Sequence, residues 1–223
     1  MKLIFPLLQE QLDLGREDKV NVLVIENPSY FVHFLNEIWK ASQKETSEIV
    51  FSSQHVPLDM AKKLEILQTF VPFETNRKNL VTKLYQYAEK VMMGEEFFVS
   101  TQKLMQDHLD YITKIAQNLP FPLDFSDTFE VSYLMKAVDL RFDTAYASLG
   151  EQVVDYMESV TMLEGEKCFV LVNLRDYISD REMDAFYQTV LYKKLKVLVV
   201  SAKDYPLSGY ETKTIIDHTL CVI

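Results

Sequence analysis

Two apolar runs within residues 167–201 place the strongest constraint on how this chain can fold. Residues 168–172 (Cys-Phe-Val-Leu-Val) and 197–200 (Val-Leu-Val-Val) are uninterrupted by polar side chains. Continuous runs of this length are typical of strands that are buried on both faces, as in a parallel sheet covered by helices. We therefore expect two buried parallel strands in this stretch.

The segment between these runs has the pattern of an amphipathic helix. Apolar side chains recur at three- and four-residue spacing, at Met183, Phe186, Tyr187, Val190 and Leu191,. Ser179, followed three residues later by Glu182, is typical of a capping box at a helix start. Strand, helix and strand together predict a right-handed crossover and thus an α/β fold.

Further elements of the same fold are predicted on both sides of the crossover. Residues 20–25 predict a central strand, and residues 29–42 predict a helix,. Shorter strands are predicted at 3–5, 12–14, 48–52 and 64–68, the first two as a hairpin or a sheet edge, and an edge strand at 214–216,.

A different pattern begins at Asn76. Apolar stripes over 80–92 and 98–116, separated by Gly94-Glu95-Glu96, predict two long helices joined by a short turn,. Two more helices are predicted at about 128–139 and 145–163. We therefore predict an α/β head domain of residues 1–75 and 164–223, with a mostly parallel sheet, interrupted by a helical leg of residues 76–163.

Composition excludes several classes of protein. No apolar run approaches the ~20 residues of a membrane span. The two cysteines, Cys168 in a predicted buried strand and Cys221 in a terminal apolar run, favour a reduced cytoplasmic protein over a disulfide scaffold,. The net charge of −10 opposes contact with nucleic acid unless the basic residues are segregated on one surface,.

Motifs for catalysis are missing from the sequence. The strand at 20–25 leads into Asn27-Pro28-Ser29, where a phosphate-binding loop would need glycines and donating N–H groups,. Neither G-x-S-x-G, CxxC nor HExxH occurs,. The four histidines are scattered, and His108 on an apolar helical stripe is expected to be packed in a core. We expect no enzymatic activity.

Two groups of charged residues are candidates for binding. Between residues 76 and 93, Arg77, Lys78, Lys83 and Lys90 outnumber the single acidic residue, Glu89. Such a group is either a solvated helix face or a basic stripe that contacts phosphates.

The second group is Asp124, Asp127 and Glu130, spaced by three residues beside a predicted helix start. Carboxylates there stabilise the helix terminus. They could also supply part of the six to eight oxygen ligands of a calcium ion.

Several stretches together resemble the small spacer-acquisition proteins of type II-A CRISPR systems. Each motif is short, but their order and spacing agree over nearly the whole chain. The motifs are residues 5–10 (Phe-Pro-Leu-Leu-Gln-Glu), 73–76 (Phe-Glu-Thr-Asn), 134–137 (Leu-Met-Lys-Ala), and 169–173 (Phe-Val-Leu-Val-Asn) with Tyr177, Ile178 and Glu182.

The resemblance implies a head related to nucleotide-binding folds, without the phosphate loop, and an extended helical leg. It implies a homotetrameric ring with a basic inner wall that binds ends of double-stranded DNA independently of sequence. It further implies a role in acquiring new spacers for antiviral defence, with the integrase proteins and the guide-RNA nuclease of the same system as partners. Lys136 is carried over by its position in the motif, whereas Arg77, Lys78 and Lys83 are predicted to bind DNA from charge.

Calcium is implied by the resemblance alone, and here the sequence departs from the family. The family's acidic run is similar to Asp-Leu-Glu-x-Asp, whereas residues 123–127 read Leu-Asp-Phe-Ser-Asp. Only Asp127 matches in place, and Asp124 is shifted by one. Each lost carboxylate should weaken a calcium site, because ligand charge sets its affinity.

Two alternative functions remain open from the sequence. One is a structural interaction module that assembles through its helical legs without binding DNA, which the acidic net charge favours. The other is a degenerate nucleotide kinase or ATPase, which the missing phosphate loop opposes.

Overall fold

The computed structural model describes residues 1–6, 8, 11–54, 56–126 and 130–223. Leu7, Gln9 and Glu10 of the N-terminal motif, His55, and Asp127 of the predicted calcium site lie outside this part of the chain. The strands are β1 (Lys2–Ile4), β2 (Leu12–Asp13), β3 (Val20–Ile25), β4 (Val50–Ser53), β5 (Val56–Pro57), β6 (Leu64–Leu67), β7 (Cys168–Val172), β8 (Lys196–Ser201) and β9 (Glu211–Ile216). The helices are α1 (Pro28–Ser42), α2 (Met60–Lys63), α3 (Lys78–Met92), α4 (Phe98–Gln117), α5 (Ser132–Ala137), α6 (Leu149–Glu164) and α7 (Asp180–Tyr192).

A parallel sheet organises the first of two compact units. Within the described residues its strand order is β6-β7-β8-β3-β9. β7 and β8 are parallel neighbours, aligned from Cys168 opposite Lys196 to Val172 opposite Val200, and α7 connects them. The predicted strand–helix–strand crossover and the α/β class are therefore confirmed. β3 is flanked on both sides, as predicted for a central strand, and β9 forms the predicted edge.

The capping box at the start of α7 is also confirmed. The Glu182 N–H donates to Ser179 Oγ over 3.3 Å, and the Ser179 N–H donates to Glu182 Oε2 over 3.4 Å. These two bonds satisfy backbone donors that have no partner inside the helix. The local sequence alone therefore sets where α7 begins.

Both faces of β7 are buried, and different helices cover them. Cys168, Val170 and Val172 pack in one cluster with Phe34 and Ile38 of α1. The alternate residues of β7 are equally buried and point to the opposite face,. That face is covered by α6 and α7, which contact each other and bury their own apolar stripes.

The position of α6 corrects the predicted domain boundary. The first unit comprises residues 1–75 and 144–223, and the second comprises 76–143. The helix predicted at 145–163 was assigned to the leg, but α6 belongs to the first unit. The reason is that Val153, Met157 and Val160 are buried in this unit, which needs a second helix over the sheet.

A small antiparallel sheet completes the first unit. Its strand order in the described residues is β2-β1-β4-β5, so the N-terminal hairpin is confirmed. Leu3, Phe5 and Phe51 are fully buried in the same cluster as the α1 face of the parallel sheet. This second sheet therefore closes the side of α1 that the parallel sheet leaves uncovered.

The two cysteines lie in different environments: Cys168 is buried and Cys221 is exposed. Both cysteines are free thiols. Burial raises the pKa of Cys168 to about 12, so this thiol stays protonated and unreactive at neutral pH,. No helix in the described part of the chain is long and apolar enough to cross a membrane.

One buried ion pair ties the chain after β7 to the start of β9. The Arg175 guanidinium lies 3.4 Å from the fully buried carboxylate of Glu211 and 3.1 Å from Asp180 Oδ1. It also donates to the Pro206 carbonyl over 3.2 Å and lies 4.9 Å from the ring centroid of Tyr205. The arginine therefore fixes the segment between β8 and β9 against the sheet.

Replacing Arg175 should leave the Glu211 carboxylate buried without its guanidinium partner. We expect Arg175→Met to lower the free energy of unfolding by about 3–5 kcal/mol. The double variant Arg175→Met/Glu211→Gln should lose clearly less, because it buries no unpaired charge. Urea unfolding followed by circular dichroism measures both, and equal losses in the two variants would contradict this account.

Glu37 of α1 is a buried carboxylate whose ionised form is stabilised by hydrogen bonds. It accepts hydrogen bonds from Lys40 Nζ over 2.5 Å and from the Glu48 N–H over 2.8 Å. The Lys40 bond, followed by the Glu48 bond, lowers the pKa of Glu37 from 4.5 to about 2. The carboxylate thus ties α1 to the segment that leads into β4.

This lowered pKa predicts a pH-dependent part of the stability. The contribution of Glu37 should be complete above about pH 4.5 and be lost as the pH falls through about 2, because the unfolded chain protonates first,. The stability difference between the wild type and Glu37→Gln should therefore shrink over this range. Urea unfolding at a series of pH values measures it, and a difference that stays constant down to about pH 2 would contradict this account,.

Candidate nucleic-acid interface

The second unit is built around α3, α4 and α5. A short turn containing Gly94 joins α3 to α4, as predicted, and buried Thr101 donates from Oγ1 to the Met92 carbonyl over 2.8 Å. α5 packs against α3. The residues on α3 and α5 therefore belong to one packed pair of helices.

Asn76 closes this unit where the chain enters and leaves it. Its Nδ2 donates to the Phe142 carbonyl over 3.0 Å, and its Oδ1 accepts from the Phe142 N–H over 2.9 Å. Asn76 is the last residue of the second motif stretch, residues 73–76, which entered the sequence analysis only through the family resemblance. The sequence pattern therefore did not reveal this clamp. Its effect is to fix the base of α3, two residues before Lys78.

The four predicted DNA-binding residues all lie in the second unit. Lys78 and Lys83 are exposed on α3, and within the described residues neither forms an ion pair. Arg77 is half-buried at the residue preceding α3. Lys136 is exposed in the last turn of α5, with Nζ 4.6 Å from the ring centroid of Tyr133. The structure therefore brings these cations onto two helices in contact.

The charge of this region runs against that of the whole chain. Residues 76–93 carry four basic side chains and one acidic one, whereas the chain has a net charge of −10. Exposed ammonium groups can bind phosphate oxygens. The segregation of basic residues that nucleic-acid binding requires is thus present on α3.

The apolar stripe of α4 is largely uncovered. Thr101 is the buried residue of this helix, and His108, which was expected to pack in a core, is exposed. That expectation was wrong: among the described residues Thr101 is the one buried position of α4, and the stripe on which His108 lies stays largely exposed. Large exposed apolar side chains of the second unit include Tyr87, Val91, Val99, Leu104, Tyr111, Ile115, Tyr133 and Val138.

The structure describes two of the three predicted calcium ligands. Asp124 and Glu130 are both exposed, and Asp127 lies outside this part of the chain. No group of three His, Cys, Asp or Glu side chains that could hold a metal occurs among the described residues. α5 begins at Ser132, later than the predicted 128, and Ser132 Oγ donates to Glu130 over 3.4 Å. Glu130 is therefore placed just before a helix start, where a carboxylate is stabilising by itself.

The loop after β3 is occupied by its own side chains. Asn27 caps α1 by accepting from the Tyr30 N–H over 3.1 Å, and its Nδ2 donates to the His218 carbonyl over 3.0 Å. Pro28 fills the first helical position. The helix terminus that holds phosphate in P-loop proteins is thus capped by the chain itself.

These features define the class of protein: an α/β unit without a phosphate loop, carrying an inserted helical unit with a basic helix. The family model described as CRISPR-associated protein (Cas_Csn2) matches residues 42–220. The chain therefore belongs to this family, and the resemblance identified in the sequence is confirmed. A CRISPR-associated role follows from this membership.

Among solved structures, the chain is similar to the crystal structure of Stu0660 of Streptococcus thermophilus. The TM-score is 0.57 at 13% sequence identity, over 96% of this chain and 74% of that chain. At this identity the similarity shows the fold. No curated protein sequence matches the chain.

The clamp at Asn76 can be tested by substitution. Asn76→Ala should lower the stability of the second unit by about 1–3 kcal/mol, since both polar groups of Phe142 lose a partner. Asn76→Asp keeps the acceptor and should lose less. Hydrogen exchange of the α3 and α5 amides measures the effect, with exposed Asn79→Ala as a control; unchanged exchange in Asn76→Ala would rule the clamp out.

Proposed function

We propose that this protein binds ends of double-stranded DNA independently of sequence, as a homotetrameric ring, and so assists acquisition of new spacers in type II-A CRISPR immunity. The role is non-enzymatic: the chain holds a DNA end and presents it to others. The integrase proteins and the guide-RNA nuclease of the same system are the proposed partners, and the proposed location is the cytoplasm.

The observation that carries this proposal is the clustering of exposed cations on α3 and α5. Lys78, Lys83 and Lys136 are exposed on helices that pack together in one unit. Lysine binds phosphate as a point charge and reads no base edge, so binding through these residues should not depend on sequence. Family membership adds the CRISPR context in which free DNA ends are substrates for integration.

The uncovered apolar surface of the second unit supports assembly. Monomeric proteins rarely leave large contiguous apolar patches open, and α4 exposes Leu104, Tyr111 and Ile115 on one stripe. A second copy would cover such a stripe. A ring of copies would also concentrate the α3 lysines of several chains around one duplex.

Calcium belongs to the proposal only as a modulator. The acidic run is reduced in this chain, so we expect calcium to bind weakly and to change DNA affinity little. DNA binding should therefore be measured both with and without added calcium.

Charge reversal on α3 and α5 tests the proposed interface. Lys83→Glu and Lys136→Glu should each weaken binding to linear duplexes of any sequence by about tenfold and should flatten the salt dependence. Lys44→Glu, an exposed lysine of the first unit, is the charge-matched control. Fluorescence anisotropy over a range of salt concentrations measures affinity and slope; equal losses in all three variants would mean that only net charge matters.

Threading of ends requires a second measurement. Linear duplex should compete with a labelled linear probe in a gel-shift assay at low salt, whereas covalently closed circles of the same sequence should not. Equal competition would indicate binding along the duplex from an open surface, and would reject the ring.

A structural interaction module is the second candidate function. The exposed stripe of α4 and the net charge of −10 favour it. It predicts that the protein assembles in sedimentation experiments but shifts no DNA at any salt concentration, which separates it from the proposed function.

A further inference from the structure

A groove of about 550 Å³ runs between α6 and α7 in the first unit. Both helices begin at the same end of the groove, at Ser148 and Ser179, which accept hydrogen bonds from their own first turns. The helix termini are therefore already satisfied. A ligand would therefore bind to the side chains of the floor and the walls of the groove, and not to the helix termini.

The floor of the groove is apolar. Val154 of α6 and Phe186 of α7 are almost fully buried beneath it, and Gly150 lies close to Phe186. On the α7 side the wall carries the small residues Ala185 and Thr189. Small side chains over an apolar floor leave room for the side chains of a bound segment, as in grooves that bind amphipathic helices.

The α6 wall is acidic. Glu151 and Asp155 are both exposed and lie four residues apart on one face, about 6 Å along the helix axis,. Among the described residues neither forms an ion pair within 4 Å, although Lys193, whose ammonium lies 2.6 Å from Glu158, also acts electrostatically on Asp155. Like charges at this spacing destabilise a helix by about 0.2–0.5 kcal/mol. A cationic partner would relieve this repulsion.

The remaining charges of the groove do not reverse its sign. Glu182 also lines it and takes part in the capping box, and Arg181 is the single basic residue. Three carboxylates therefore face one guanidinium. The groove repels phosphate and attracts cations, in contrast to the basic surface of α3.

We propose that this groove docks a basic, amphipathic segment of a partner protein. The segment presents apolar side chains to Val154 and Phe186, and lysine or arginine residues spaced by one helical turn to Glu151 and Asp155. The acidic wall and the apolar floor together favour this occupant over a nucleic acid. The site lies in a different unit from the proposed DNA-binding residues, so it adds a protein-binding surface that does not depend on the DNA-binding proposal.

The test uses the full chain and a labelled model peptide of about 15 residues, long enough to form a helix. The peptide carries leucines on one face and lysines spaced by four on the adjoining face; a second peptide has glutamates in place of the lysines. Fluorescence anisotropy should show that the lysine peptide binds and that the glutamate peptide does not.

Two variants locate the binding site. Glu151→Gln/Asp155→Asn removes the acidic wall and should weaken binding of the lysine peptide by at least about tenfold. Ala185→Arg should abolish binding, because it fills the groove and lowers its negative charge at an exposed helical position where arginine is well tolerated,. Glu45→Lys, far along the sequence on an exposed surface of the same unit, controls for attraction to net charge.

The outcomes decide between the occupants. Binding lost in both groove variants but kept in Glu45→Lys, with unfolding and DNA affinity unchanged, supports the proposal. Equal affinity for the wild type and Ala185→Arg, or equal binding of the two peptides, overturns it. If sedimentation instead shows that Ala185→Arg loses self-association, the occupant is a second copy of this chain and the proposed partner is wrong.

Discussion

Burial of β7 on both faces is the constraint on which the first unit depends. A strand of five apolar residues with no polar alternation cannot expose either side without a large cost, since each buried side chain contributes about 1.5–3 kcal/mol,. One face is covered by α1 together with the small antiparallel sheet, and the other by α6 and α7. Because both faces must be covered, α6 packs in the first unit with the sheet and not with the helical insertion. The second unit is therefore limited to residues 76–143.

In the second unit, by contrast, the apolar stripes of the helices stay largely exposed. α3 and α4 have apolar stripes as clear as that of α6, but in the described part of the chain each has a single buried residue. Such helices depend on tertiary or quaternary contacts for most of their stability. The unit therefore exposes two surfaces that other molecules could contact: an apolar one on α4 and a basic one on α3.

Membership of the CRISPR-associated family gives these surfaces a context. A chain with a net charge of −10 can approach DNA only through a segregated basic surface,, and α3 with Lys136 supplies one. The groove between α6 and α7 has the opposite charge and an apolar floor. The two surfaces differ in charge, and different partners are proposed for them: DNA for α3 and a basic protein segment for the groove.

The sequence by itself determined the strand–helix–strand crossover, the capping box at Ser179 and the absence of a phosphate loop. These features depend on residues close together in the chain, and so they can be read from local patterns. Only the tertiary structure decided that α6 covers the sheet, that His108 is exposed, and that Glu151 and Asp155 line a groove with Phe186. The reason is physical: an apolar stripe specifies that a helix must be buried but not against what, and partners distant in sequence are chosen by packing.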